Sequence, residues 1–227
     1  MNVIYSNYDF TIYQDNYKTT LFTITNTNTT NPTNANLFEP LINSVIRTKL
    51  TNYSTIIKQE NGTKLLVFKA VSLESFEDFK KKYYQLNNTN KLSYELILNI
   101  IYSLSKQIHY LLEYESMCFY KLDTSNIYVI NDSIFIYLSY DDLKEVKEKQ
   151  IHIYRPISKS MGFLSPELTN AISIPILVNY KTIFYSLGLL IMETINNETF
   201  CIKGTKLDHF LMRCLRDKPE NRFLLYV

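Results

Sequence analysis

The residues of this chain that can do chemistry stand in two short stretches. One is Tyr120-Lys121-Leu122-Asp123-Thr124-Ser125-Asn126-Ile127, and the other is Ser139-Tyr140-Asp141-Asp142. A carboxylate such as Asp123 can take a proton from an attacking hydroxyl. The amide oxygen of Asn126 and a carboxylate from Asp141 or Asp142 are hard oxygen ligands of the kind Mg²⁺ accepts beside water and phosphate. Read this way, the two stretches combine a general base with ligands for one Mg²⁺. The plainer reading puts Asp141 and Asp142 in a solvated loop and makes Lys121 and Asp123 a local ion pair of little energetic worth.

Composition removes most other chemistries. The chain has 227 residues with 46% hydrophobic and 20% charged, which is globular and long enough to bury a core. It holds only 4 glycines, the first at Gly62. A phosphate-cradling loop needs clustered glycine, so a P-loop and a dinucleotide fingerprint are excluded. Cys118, Cys201 and Cys214 lack metal-site spacing, and His109, His152 and His209 are scattered. Neither a zinc site nor a disulfide framework is expected. A net charge of +2 gives no electrostatic footprint for nucleic acid or an anionic membrane. The start, MNVIYSNYDFTIYQ, lacks the pattern of a signal peptide, and no apolar run reaches the length of a membrane span, so a cytoplasmic protein is expected. The 19 tyrosines and abundant asparagine match the coding bias of an A/T-rich genome, as in some viruses, and carry no functional weight by themselves.

The elements that must position these residues can be read from periodicity. Residues 1–25 are rich in β-formers and predict short strands, followed by a polar loop over 25–36. Apolar residues from Leu37 to Leu50 recur on one helical face, with Pro40 in the first turn. Ser54–Gln59 and Lys64–Phe68 read as a hairpin turning at Asn61-Gly62. Ser72 is a candidate cap for a helix through Lys80, with the 80–82 lysine run as its solvated end, and Ser93 for a long helix to about Tyr114. That long helix carries Ile97, Ile100, Ile101, Leu104, Ile108, Leu111 and Leu112 as its stripe. Ile127–Ile130 and Ile134–Leu138 predict a second hairpin, 141–160 a charged loop, 180–195 a buried helix, and Leu207–Arg216 the last helix.

This order, taken with the local motifs, resembles the protein kinase-like superfamily. Leu65-Leu66-Val67-Phe68 and Ser72–Phe79 resemble its hinge strand and first large-lobe helix, and residues 120–127 resemble its catalytic loop. Met161-Gly162-Phe163-Leu164-Ser165-Pro166-Glu167 is similar to the end of an activation segment, with Ser-Pro-Glu where the family has Ala-Pro-Glu. Ser186-Leu187-Gly188 and Cys214–Arg222 are similar to its buried-helix and closing motifs. The resemblance spans residues 65–222 and the small lobe matches in layout alone. It implies an α+β fold in two lobes, a reduced β-rich lobe over 1–70 and a trimmed helical lobe over 71–227. It also implies a structural ion pair between Glu167 and Arg222.

The same resemblance exposes what is missing. A kinase uses a glycine loop, a strand lysine, a base aspartate, a metal-binding asparagine and an Asp-Phe-Gly. Residues 1–61 contain no glycine, and Thr20–Ile24 holds no lysine; Lys18 lies out of register and Glu39 near the helix start. Lys121 stands where the base belongs, Asp123 where the family usually has lysine, and Asn126 is kept. Ser139-Tyr140-Asp141 stands in place of the metal motif. Each lost electrostatic contact can be worth roughly 3–4 kcal/mol in the transition state, so losing several brings the rate near background. The resemblance therefore implies a pseudokinase: no resident cofactor, doubtful ATP and Mg²⁺ binding, and a scaffold, decoy or allosteric role toward another protein. The alternatives are an unconventional Mg²⁺-dependent phosphotransferase or ATPase using Asp123 and Asn126, and a structural subunit of a larger assembly.

Overall fold

The computed structural model describes residues 1–7, 9–26, 32–58, 64–158, 162–196 and 202–224. The fold is α+β, with antiparallel pairing throughout the described strands. Strands β1 (Asn2–Ser6), β2 (Phe10–Gln14), β3 (Leu21–Asn26), β4 (Asn52–Lys58) and β5 (Lys64–Lys69) make one sheet in the order β1-β2-β3-β5-β4. Its inner face carries Phe10, Ile12, Phe22, Ile24, Leu66 and Phe68 by period-two alternation, all essentially buried. Helix α1 (Pro32–Ile46) packs Leu41, Ile42 and Val45 against this side of the molecule.

Helix α2 (Phe76–Asn87) follows a short strand, β6 (Leu73–Ser75), and leads to α3 (Tyr94–Tyr114). The serine hydroxyl of Ser93 accepts from Leu96 N–H and opens α3, whose stripe from Ile97 to Leu111 is buried, with Leu112 partly so. Strands β8 (Ile127–Ile130) and β9 (Ile134–Tyr137) pair with β6 in the order β6-β8-β9. Their turn has Asn131 and Asp132 both at positive φ and is closed by Ser133 N–H on the Ile130 carbonyl, one residue before Ile134 pairs with Ile130. Strands β7 (Met117–Phe119), β10 (Leu143–Lys147), β11 (Gln150–Ile153) and β12 (Ile176–Asn179) form a third sheet in the order β12-β11-β10-β7. A short α4 (Pro166–Thr169), the buried α5 (Thr182–Thr194) and α6 (Lys206–Cys214) complete the fold. No helix among the described residues is long and apolar enough to cross a membrane.

Four local expectations are corrected. Pro40 lies inside α1, because the helix starts at Pro32, within the stretch read as loop; β3 also runs on to Asn26, and residues 27–31 lie outside the described residues. The cap of α2 is Ser75, whose hydroxyl accepts from Asp78 N–H; Ser72 precedes a strand because Leu73–Ser75 pairs with β8. The lysine run 80–82 lies within that helix, where Lys82 pairs with Glu74 and Asp132. The charged 141–160 stretch contains the β10–β11 hairpin, since Leu143, Ile151 and Ile153 supply a buried face that the intervening charges disguise. The Asn61-Gly62 turn and Cys201 lie outside the described residues.

Candidate functional site

The loop after β7 is held from below. Leu122 N–H donates to Ser186 Oγ at 3.0 Å, and that hydroxyl donates to the Phe163 carbonyl. Phe163 N–H returns to the Leu122 carbonyl at 2.8 Å. Gly162, at φ +76°, allows this closeness: a Cβ there would stand 2.5 Å from the Leu122 oxygen. Gly188 plays the matching part in α5, where a Cβ would come within 2.8 Å of Leu215 and 3.1 Å of Cys214 Cβ on the α6 side. The serine-glycine pair of the buried helix thus works as a packing device for the loop above and the helix beside it.

On this base, Asp123 points along its own chain. Its Oδ1 accepts from Ser125 N–H at 3.0 Å and Ser125 Oγ at 2.8 Å, capping one turn of 3₁₀ helix over Thr124–Asn126. Lys121 turns away from it. Its ammonium lies 3.6 Å from Asp142, so the local Lys121–Asp123 ion pair is replaced by one that joins the two stretches. Asn126 is tied through its backbone, with its N–H on the Asp123 carbonyl and its own carbonyl accepting from Leu138 N–H at 3.0 Å. Its side chain interacts with the Tyr137 hydroxyl.

Asp142 is the hub. It is buried, while its neighbour Asp141 is exposed and paired with Arg155 at 3.0 Å. The solvated-loop expectation therefore holds for Asp141 and fails for Asp142. The Tyr137 hydroxyl donates to Asp142 Oδ2 at 2.6 Å, and Asp142 N–H bonds the buried Ser139 hydroxyl at 3.3 Å. Burial first, then the Asp142 charge, push the phenols of Tyr137 and Tyr120 well above the ordinary tyrosine value. Tyr137 is itself placed by Gln107, a buried amide on α3. Gln107 Nε2 donates to the Tyr137 carbonyl at 2.8 Å, and its Oε1 accepts from Tyr137 N–H at 2.9 Å. Gln107 and Tyr137 escape sequence reading, because a polar residue on an apolar helical stripe looks like an exception until its partner is known.

The first sheet reaches down onto this network. Asp9, in the β1–β2 turn, accepts from Tyr140 N–H at 2.9 Å, and the Phe10 and Tyr140 rings stand 4.4 Å apart. Asn7 Oδ1 shapes the turn by accepting from the N–H groups of Asp9 and Phe10. Tyr5, on β1, accepts from Ser75 N–H and donates to Asp78 Oδ2, both at 3.0 Å, with its ring edge-on to Tyr128 at 5.7 Å. Burial raises Asp9 above the ordinary carboxylate value and lifts the Tyr128 phenol to about 12. The side chains of β1 and its turn thus occupy the ground between the first sheet and the β6-β8-β9 sheet.

Other expected residues fall elsewhere. Lys18 is in the exposed β2–β3 turn, its N–H on Asp15. Glu39, on α1, pairs with Lys64 at the start of β5. A cavity of about 600 Å³ opens beside Lys121 and Asp142 and is lined also by Tyr120, Lys144, Tyr154 and Arg155. Lys144 donates to the Asp141 and Leu143 carbonyls, and burial draws its ammonium below the ordinary lysine value. Among the described residues, no group of three His, Cys, Asp or Glu side chains is placed to hold a metal ion.

Glu167 and Arg222 meet fork to fork. Arg222 Nη1 and Nη2 donate to Glu167 Oε1 and Oε2 at 2.5 and 2.9 Å. Nε donates to the Arg216 carbonyl and Nη2 also to Asp217, and the guanidinium lies 4.8 Å from the Tyr185 ring. Arg222 is fully buried and Glu167 about one-fifth exposed, 21% by side chain. No protein-family model matches this chain, and no match is found among curated proteins.

Proposed function

We propose that this chain is a pseudokinase, a two-lobed kinase-like protein with residues 1–70 and 71–227 as its lobes, that acts by binding another protein as scaffold, decoy or allosteric regulator. The observation that carries this reading is the occupation of the would-be catalytic groups by one another. Lys121 is paired with Asp142, Asp123 caps its own loop, and Ser139 holds the Asp142 backbone. A base must reach a substrate proton and a metal ligand must offer a free lone pair. Here Asp123 Oδ1 is engaged by Ser125, and the two oxygens of Asp142 by Tyr137 and Lys121. Tyr5, Asp9 and Phe10 add to this by filling the ground over which a nucleotide would lie. The close packing at Gly162 and Gly188 and the Glu167–Arg222 fork support a scaffold kept rigid after its chemistry was lost.

The test is thermal denaturation of the whole chain with 5 mM ATP, with and without Mg²⁺. A ligand at about 100 times its Kd stabilises by about 2.7 kcal/mol, or roughly 5–10 °C in a chain of this size. The expected result is no shift under either condition. A Mg²⁺-dependent rise, abolished in Asp123→Ala or Asn126→Ala and accompanied by phosphoryl transfer, would overturn the proposal in favour of the unconventional enzyme.

A further inference from the structure

Arg213 and Arg216 line one open surface pocket of about 360 Å³, flanked by Asn221 and Phe223. Among the described residues the lining includes no carboxylate, and neither guanidinium forms an ion pair or a side-chain hydrogen bond. Elsewhere the cations near cavities are engaged: Lys121 with Asp142, Arg155 with Asp141, and Lys82 with Glu74 and Asp132. Among the described residues the arginine pair is thus set apart by having no acidic partner.

The pocket is also held rigid. The buried Arg222 grips the Arg216 carbonyl at 2.7 Å, and Phe223 N–H reaches the Arg213 carbonyl. Lys181 lies 4.7 Å from the Phe223 ring and donates to the Glu220 carbonyl at 3.0 Å. The Glu167–Arg222 fork therefore fixes the backbone from which these side chains project. Fixed supports of this kind reduce the entropy lost when a ligand binds.

We infer that this pocket is a docking site for an acidic segment of a partner protein. Two planar guanidinium groups suit carboxylate or phosphate oxygens bidentately, the Asn221 amide can bond a peptide group, and the Phe223 ring offers an apolar wall. The volume suits one or two side chains. A net charge of +2 gives no overall basic field to draw in a nucleic acid, which favours a peptide partner. The partner class rests on the reading of the chain as a protein-binding module; the anion site itself does not depend on the state of the nucleotide cleft.

The test is fluorescence anisotropy of the whole protein with a fluorescein-labelled hexaglutamate peptide and a hexaglutamine control. The expected result is salt-sensitive binding of the acidic peptide alone, weakened roughly tenfold or more in Arg213→Ala/Arg216→Ala. Lys147→Ala/Lys149→Ala, which removes equal charge from the β10–β11 turn, should bind as wild type, and Arg213→Lys/Arg216→Lys should fall between. All of these positions are exposed, and unchanged melting temperatures establish that the variants fold. Equal affinity in the arginine and lysine double-alanine variants, or no binding by the wild type at millimolar peptide, would overturn the site. Competition by inorganic phosphate at the same concentration as peptide would overturn the peptide assignment. A nucleotide-induced thermal shift with peptide binding intact would sink the pseudokinase reading and leave this site standing.

Discussion

Substituting Glu167 by Gln or Ala is the most direct probe of how this fold is held. The Arg222 guanidinium is fully buried and satisfied by two carboxylate oxygens together with backbone carbonyls. Removing one partner of a buried ion pair costs about 3–5 kcal/mol, because the remaining charge stays in low dielectric without compensation. The carbonyls of Arg216 and Asp217 and the Tyr185 ring remain to share that charge, and Glu167 is partly hydrated. Glu167→Ala should therefore fall near the lower end, about 3 kcal/mol, or roughly 6–12 °C in melting temperature. Glu167→Gln keeps one acceptor and should lose about half as much. Urea denaturation would measure both, with the slope unchanged and the midpoint lowered. Repeating it in 0.05 and 0.5 M NaCl is informative, since a buried pair is little screened whereas the exposed Lys82 network is. A loss below about 1 kcal/mol in Glu167→Ala, or one that disappears in high salt, would refute the buried-pair reasoning and return these residues to ordinary surface charges.

Three further outcomes follow from particular contacts. Gly162→Ala should cost about 2 kcal/mol or more, since a left-handed φ adds about 1–2 kcal/mol and the new Cβ would meet the Leu122 carbonyl oxygen at 2.5 Å; a melting temperature within 2 °C of wild type, a change of about 1 kcal/mol or less, would contradict it. Tyr137→Phe leaves Asp142 without its buried hydroxyl donor and should destabilise by about 1–3 kcal/mol in calorimetry, more than Tyr17→Phe, whose side chain is almost fully exposed. For Asp9, burial raises the folded pKa above the ordinary 3.8, so the folded state holds its proton more tightly than the unfolded chain and the ionised group costs stability as pH rises through that interval. Asp9→Asn keeps an acceptor for Tyr140 N–H and removes the buried charge; it should melt higher than wild type at pH 7, with the gap closing as pH falls toward 3.8, and a lower melting temperature at pH 7 would show that Asp9 is held by charge pairing.

Much of this architecture was readable before any coordinates. The stripe of α3, the Ser93 cap and the Asn131-Asp132 turn are local: periodicity, a side-chain acceptor and two residues that tolerate positive φ specify them without distant partners. The motif positions Lys121, Asp123, Asn126, Ser139, Tyr140 and Asp141, and the pairing of Glu167 with Arg222, could be named only through the resemblance to kinase motifs, and the fork between Arg222 and Glu167 is present in the structure. What the sequence could not supply was competition between partners. Leu73–Ser75 leaves the helical pattern because β8 offers it a ladder, and that shifts the cap from Ser72 to Ser75. Lys121 has Asp123 two residues away, yet its ammonium reaches Asp142 in the other stretch, while Asp123 Oδ1 turns to Ser125. Asp141 and Asp142 are the same residue type at adjacent positions. Only the tertiary structure separates them: they sit at a bend where Leu143 N–H closes on the Tyr140 carbonyl, which leaves one in water beside Arg155 and buries the other against Tyr137.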